Sequence, residues 1–144
     1  MIPDTDFATA LVAGLPDALV HVDAEGRIRV WNSGAERIFG FSEAEAFGNG
    51  LDLIIPPSLR GRHDAGFART MHTGLTKYGG GDILSVPAQR KDGTRISVEF
   101  SIVPFKDAVG KMTGIAAVMR DVTARFEELR ALRRELATLR TGHV

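Results

Sequence analysis

The sequence predicts an α+β domain: a five-stranded antiparallel sheet carries short helices on one side, and a helix flanks it at each end. Three observations lead there. Apolar–polar alternation falls in two groups, residues 18–31 and 82–120, with tight-turn chemistry inside each group. The residues between the groups carry helix caps and apolar spacings of three and four. From Asp121 onward the pattern changes again, to leucines on a heptad step among charges. Strands segregated from helices along the chain define α+β.

Composition limits the rest. At 144 residues, 44% hydrophobic and 25% charged, the chain is sized for one domain with its own core. Its 18 basic residues balance 18 acidic ones, so no electrostatic case exists for nucleic acid or an anionic membrane. No apolar run approaches the roughly 20 residues that a bilayer span requires. The N-terminal stretch lacks a basic segment and carries Asp4 and Asp6, unlike a secretion signal, so a cytoplasmic location is expected. The absence of cysteine excludes disulfides, thiolate metal sites, covalent c-type haem and cysteinyl-chromophore adducts.

The elements follow in order. Phe7, Ala10, Leu11 and Ala13 give Asp4 to Gly14 the spacing of a short amphipathic helix, closed by Gly14 and barred from continuing by Pro16. Ala18 to Asp23 and Arg27 to Trp31 form a hairpin around Asp23-Ala24-Glu25-Gly26. Asn32 or Ser33 caps a helix bearing Ala35, Ile38 and Phe39 that ends at Gly40. Ser42 with Glu45 makes a capping box for another. The apolar stretch Leu51 to Ile55 stops at Pro56-Pro57, and Ser58 opens a longer helix ending at Thr73-Gly74.

Three strands come next: Asp82 to Gln89, Thr94 to Phe105 and Met112 to Arg120, joined at Lys91-Asp92-Gly93 and Asp107-Ala108-Val109-Gly110. In the middle strand Ile96, Val98, Phe100 and Ile102 alternate with Arg95, Ser97, Glu99 and Ser101. Pro87 marks its strand as an edge, or as bulged there. In the tail, Leu129, Leu132, Leu136 and Leu139 form an a/d seam with Glu128, Arg130, Arg133, Arg134 and Glu135 on its shoulders. So short a helix draws its stability from burial, against a second copy or back on its own sheet.

Several stretches together resemble a PAS sensor domain. They are Leu15-Pro16-Asp17-Ala18, Asp23-Ala24-Glu25-Gly26-Arg27-Ile28, Trp31-Asn32, Ala35-Glu36-Arg37-Ile38-Phe39-Gly40, Arg90-Lys91-Asp92-Gly93-Thr94 and Arg120-Asp121-Val122-Thr123. The resemblance implies a helical cap over residues 1–14, a PAS domain over 15–123 and a signalling helix over 124–144. The stretch from Ile54-Ile55-Pro56 to Arg62-His63-Asp64 is similar to the haem-binding branch, that of the FixL-type oxygen-sensing histidine kinases. In that branch a histidine at this place is the proximal iron ligand, which implies b-type haem on His63.

The residues themselves bear on that implication. Leu59, His63, Phe67 and Met71 recur every four residues on one helical stripe, with Gly66 beside them. An imidazole there needs a hydrogen-bond partner or loses roughly 1–3 kcal/mol, and a mid-helix glycine costs about 1 kcal/mol against alanine. A hydrogen-bonded core histidine is one solution. A flat ligand against the stripe, with iron taking one nitrogen, is the other.

Under the second, Arg62 and Arg69 reach the propionates. Phe100 and Ile102, with Leu84 and Val86, form the distal wall; Tyr78 or Met71 supplies a distal or sixth ligand. Relatives that stabilise bound oxygen carry an arginine where this chain has Leu84. The resemblance therefore implies that, of the diatomic gases CO, NO and O2, oxygen is the least well held. It also implies a homodimer built through the N- and C-terminal helices, acting on an output domain or partner protein. A ligand-free dimerisation or docking module, and a PAS domain holding flavin or a small metabolite, remain the alternatives.

Other constellations lack the spacing for chemistry. His21, His72 and His143 show no metal-ligand pairing, and Gly79-Gly80-Gly81 lacks the Lys-Ser/Thr of a phosphate loop. No nucleophile–base arrangement has supporting context, so no enzymatic activity is expected.

Overall fold

The computed structural model describes residues 5–74 and 83–142. Helix α1 (Thr5–Gly14) leads into β1 (Ala18–Asp23) and β2 (Ile28–Trp31). The hairpin turn is fixed by Asp23, whose Oδ1 accepts from the amides of Glu25 (3.0 Å) and Arg27 (2.9 Å). Strand β2 begins at Ile28 rather than Arg27, because Arg27 instead makes an isolated bridge to Gly50.

Helix α2 (Ser33–Phe39) is capped by Asn32, not Ser33: Asn32 Oδ1 accepts from the Ala35 amide at 3.0 Å. Helix α3 (Glu43–Ala46) carries the complete Ser42–Glu45 capping box. A 3₁₀ turn (Leu51–Leu53) follows, then α4 (Pro57–Thr73). Here the expectation needs correcting. Pro57 rather than Ser58 opens the helix, because a proline at the first helical position lacks only an N–H that would go unpaired there.

Strands β3 (Leu84–Gln89), β4 (Arg95–Lys106) and β5 (Met112–Asp121) precede α5 (Thr123–Thr141). The start expected for β3, Asp82, lies outside the described residues. The sheet order is β2-β1-β5-β4-β3 with every pairing antiparallel. The two sequence groups therefore merge through β1 and β5, with Ala18 opposite Met119 and Asp23 opposite Gly114. Strand β3 lies at an edge, where Pro87 costs no central ladder hydrogen bond.

One end of the sheet is sealed by the core. Ala18, Val20, Val22, Ile28 and Trp31 of the hairpin are buried against Ala35, Phe39, Ala46 and Ile54 from the helices and turn. Trp31 adds a hydrogen bond from Nε1 to the Phe41 carbonyl at 2.9 Å, so its ring is buried with its polar edge satisfied.

A surface ion pair gives a pH-dependent test of this end. The Lys91 ammonium hydrogen-bonds Glu45, and with the Ser42 amide it pushes the Glu45 carboxyl down from its ordinary 4.5 to about 2. A lowered folded-state pKa contributes stability above the ordinary value, and that stability fades as pH falls toward about 2. A carboxyl NMR titration should give a Glu45 midpoint near 2, moving up toward 4.5 in Lys91→Ala. A wild-type midpoint already at the ordinary value would contradict the pairing.

Candidate functional site

Helix α4 crosses the helix-bearing side of the sheet lengthwise. Its start is tied down by Arg60 Nε donating to the Ile55 carbonyl (3.0 Å), and the neighbouring Ile54 carbonyl accepts from the Gln89 amide of β3 (2.8 Å). Its end, Gly74, sits beside Lys106 and Met112 at the far ends of β4 and β5. The predicted stripe turns inward as a set: Leu59, His63, Gly66, Phe67 and Met71 are half-buried. Arg62 and Arg69 are exposed on the helix flank. No residue of α4 is fully buried.

The sheet is likewise only partly covered here. Leu84, Phe100, Ile102, Ile115 and Ala117 are half-buried, and Val86 is 40% exposed. Leu84 stands opposite Phe100, and Ile102 opposite Ala117, so these side chains share the face that holds the buried Val20 and Met119. The space beside Gly66 is open, with no atom within 4 Å of where a Cβ would stand.

His63 has an unusual polar environment. Its Nδ1 is buried without a hydrogen-bond partner, although the side chain as a whole is 36% exposed. Asp64 Oδ1 lies 3.5 Å from that nitrogen and does not complete a hydrogen bond. The imidazole and the Phe67 ring are stacked at 6.4 Å between centroids and 21° between planes. Phe67 in turn abuts the β1–β2 turn, 3.4 Å from the position a Gly26 Cβ would take.

The cleft beside the imidazole is bounded by other residues than the wall expected for it. His63 lines a cleft of about 290 Å³ together with Glu25, Gly26, Gly50, Leu51, Asp52, Asp64 and Phe67. Leu84, Val86, Phe100 and Ile102, expected as the wall across from the imidazole, do not line this cleft. The physical reason is Phe67, which stacks on the imidazole and joins it to the hairpin turn. Tyr78 lies outside the described residues, as do Gly79 to Gly81 and His143.

Gly50 and Asp52 carry no motif, and long-range hydrogen bonds bring them to the hairpin turn that holds Glu25. The Ile28 amide donates to the Asn49 carbonyl and the Gly48 amide to the Ile28 carbonyl, both at 2.8 Å. The Gly48-Asn49-Gly50 run, poor in side chains, was the available sequence signal that another backbone comes close here. Among the described residues no group of three or more His, Cys, Asp or Glu side chains is arranged to hold a metal ion.

The site connects to the C-terminal helix through β4. Ser97 accepts from the Val122 amide at 2.9 Å through its carbonyl, and its own amide donates to Thr123 Oγ1 at 3.0 Å. Asp121 Oδ1 accepts from the Thr123 amide at 2.9 Å and from the Thr123 hydroxyl at 2.5 Å. Ser97 is three residues from Phe100 on the same strand, so β4 links the half-buried face to the first turn of α5.

A five-stranded antiparallel sheet in the order 2-1-5-4-3, with helices on one side and a helix leaving its central strand, is the architecture of a PAS sensor. The chain belongs to that family: the family model described as PAS fold matches residues 12–127. It is a sensory PAS domain related to the sensor protein FixL of Bradyrhizobium diazoefficiens, 33% identical over 124 residues, covering 81% of this chain and 24% of that protein. It is also related to the oxygen sensor protein DosP of Escherichia coli K12, 26% identical over 125 residues, covering 87% of this chain and 15% of that protein. The chain thus spans a quarter or less of either relative.

Among solved structures, the PAS domain of a Colwellia psychrerythraea protein superposes with a TM-score of 0.71 at 23% identity, covering 83% of this chain and 97% of that one. An RNA-binding light-oxygen-voltage receptor superposes with a TM-score of 0.73 at 22% identity, covering 99% of this chain and 40% of that one. At such identities the likeness concerns the fold alone.

Proposed function

We propose that this PAS domain is a cytoplasmic, non-enzymatic sensor that holds b-type haem through His63. The observation that carries the reading is the buried Nδ1 of His63, without a hydrogen-bond partner on the inward stripe of α4. A buried, unpaired imidazole nitrogen costs about 1–3 kcal/mol, so this ring lacks the hydrogen bonding of an ordinary core histidine. The half-filled faces of α4 and of β3, β4 and β5 are apolar enough to take a flat ring between them. Relatedness to the sensor protein FixL and the oxygen sensor protein DosP supports the same direction. For the ring to enter, Phe67 must swing away from the imidazole it stacks on.

Haem, when bound, supplies reversible capture of a diatomic gas at its iron. The chain's own residues do the rest. His63 anchors the group, and Arg62 and Arg69, on the exposed flank, meet its carboxylates. Leu84, Phe100 and Ile102 offer no side-chain hydrogen-bond donor, which disfavours oxygen relative to CO and NO. Displacement of these residues is passed along β4 to Ser97, then through Thr123 into α5. The readout is a bias between two arrangements of a homodimer held through α1 and α5, acting on an output domain or partner.

The test is optical. The purified chain, supplied with hemin, should show a Soret band that shifts with CO and is lost or strongly altered in His63→Ala. A folded protein that takes up no hemin would overturn the proposal in favour of a ligand-free docking module. A yellow, fluorescent protein would overturn it in favour of flavin.

A further inference from the structure

Two glycines stand inside α4, Gly61 and Gly66, and neither has an ordinary reason to be glycine. A positive φ accounts for Gly26, Gly40 and Gly74. Close backbone accounts for Gly34 and Gly114, where a Cβ would meet a carbonyl oxygen at 2.1 and 2.4 Å. Gly61 and Gly66 have helical backbone, and among the described residues no atom lies within 4 Å of either Cβ position. Alanine would fit at both and would favour the helix.

The two differ in where they face. Gly61 is exposed, whereas Gly66 is half-buried on the inward stripe, one turn beyond His63. Side chains on a helix lean toward its N-terminus, so a side chain at 66 would lie over the turn that carries the imidazole. The neighbouring positions are already engaged. Phe67, four residues beyond His63, stacks on its ring, and Arg60, three residues before, donates to the Ile55 carbonyl. Thr70, which leans toward Gly66 from the next turn, donates its hydroxyl to the Gly66 carbonyl at 3.0 Å. At Gly66 the flank of His63 is therefore bare backbone.

We infer that Gly66 is a ligand-contact position: a flat ring anchored at His63 comes down on the bare backbone of α4 there, and a side chain at 66 holds it off. The inference rests on the reading of His63 as the anchor. Glycine at this place gives up helix stability in the ligand-free chain so that the ring can approach. The size of residue 66 then decides which ligands the site admits.

The test sets Gly66 against Gly61 in the full chain, with hemin as the probe and binding read as the Soret band that depends on His63. Without hemin, Gly66→Ala and Gly61→Ala should each raise the melting temperature by roughly 2–4 °C. With hemin, Gly66→Leu should bind at least about tenfold more weakly than the wild type, and Gly66→Ala should lose a smaller factor. Gly61→Leu should stay within about twofold of the wild type. A lower melting temperature in Gly66→Ala would reveal a packing role and overturn the inference. So would a Gly66→Leu chain that binds hemin as the wild type does, or equal losses in the two leucine variants. Each of these results leaves the haem reading standing, whereas a wild-type chain that takes up no hemin overturns both.

Discussion

Gly34→Ala is expected to cost this domain on the order of 3–5 kcal/mol, enough to leave a large fraction unfolded. A Cβ at Gly34 would lie 2.1 Å from the Asp17 carbonyl oxygen, 2.5 Å from its carbon and 2.9 Å from the Pro16 oxygen. All three are backbone atoms, so no rotamer change relieves the overlap. Nor is the neighbouring backbone free to move. Asn32 Nδ2 donates to the carbonyls of Val12 (2.9 Å) and Asp17 (3.1 Å), while its Oδ1 accepts from Leu19 (2.8 Å). Ser33 and Arg37 donate to the carbonyls of Ala13 (2.7 Å) and Pro16 (2.9 Å). Backing away would break several of these bonds at once. Helix propensity alone predicts the opposite sign, a gain of about 1 kcal/mol for alanine. A urea midpoint that stays level or rises would refute the docking of α2 on residues 16–17.

Phe39→Ala should be comparably severe, at about 3–5 kcal/mol. Phe39 is fully buried, with its ring 5.6 Å from that of Trp31, in the sealed end of the core. The hydrogen bond from the Lys91 amide to the Phe39 carbonyl is a backbone contact and survives the substitution, so the loss reports the ring. Phe67→Ala supplies the contrast. Its ring is half-buried on α4, and a side chain that still meets water forfeits less on removal. Denaturation of the two variants side by side should show Phe39→Ala losing at least about twice as much. Equal losses would mean that the two ends of the domain are filled alike.

What the sequence revealed was what is decided locally. The Ser42–Glu45 box and the glycine at the end of α2 are chemistry within a few residues, and both stand where they were expected. Pro56-Pro57 looked like a stop and is also a start, because one proline serves both purposes. Pro87 correctly marked an edge. The inward stripe of α4 was legible from its period.

The surroundings of His63 were not. They depend on how far Phe67 reaches toward a hairpin turn some 40 residues earlier, at Gly26, and on the bridge between Arg27 and Gly50. Period carries no trace of such pairings, and the Gly48-Asn49-Gly50 run says only that some backbone comes close, not which. The half-filled face is hidden for the same reason: alternation says which side chains point inward, not how closely the opposite layer approaches them.

The Asp17 carboxylate grips Arg120 with two prongs, Nε at 3.1 Å and Nη2 at 3.0 Å, at the corner where β1 begins and β5 ends. The two helical arms of the chain therefore converge on a single point, and the sheet hangs from it like a pendant rather than forming a link in a rod. Looping the whole body out would scarcely change the distance between the arms. The clasp stands three residues from each arm, Asp17 after Gly14 and Arg120 before Thr123.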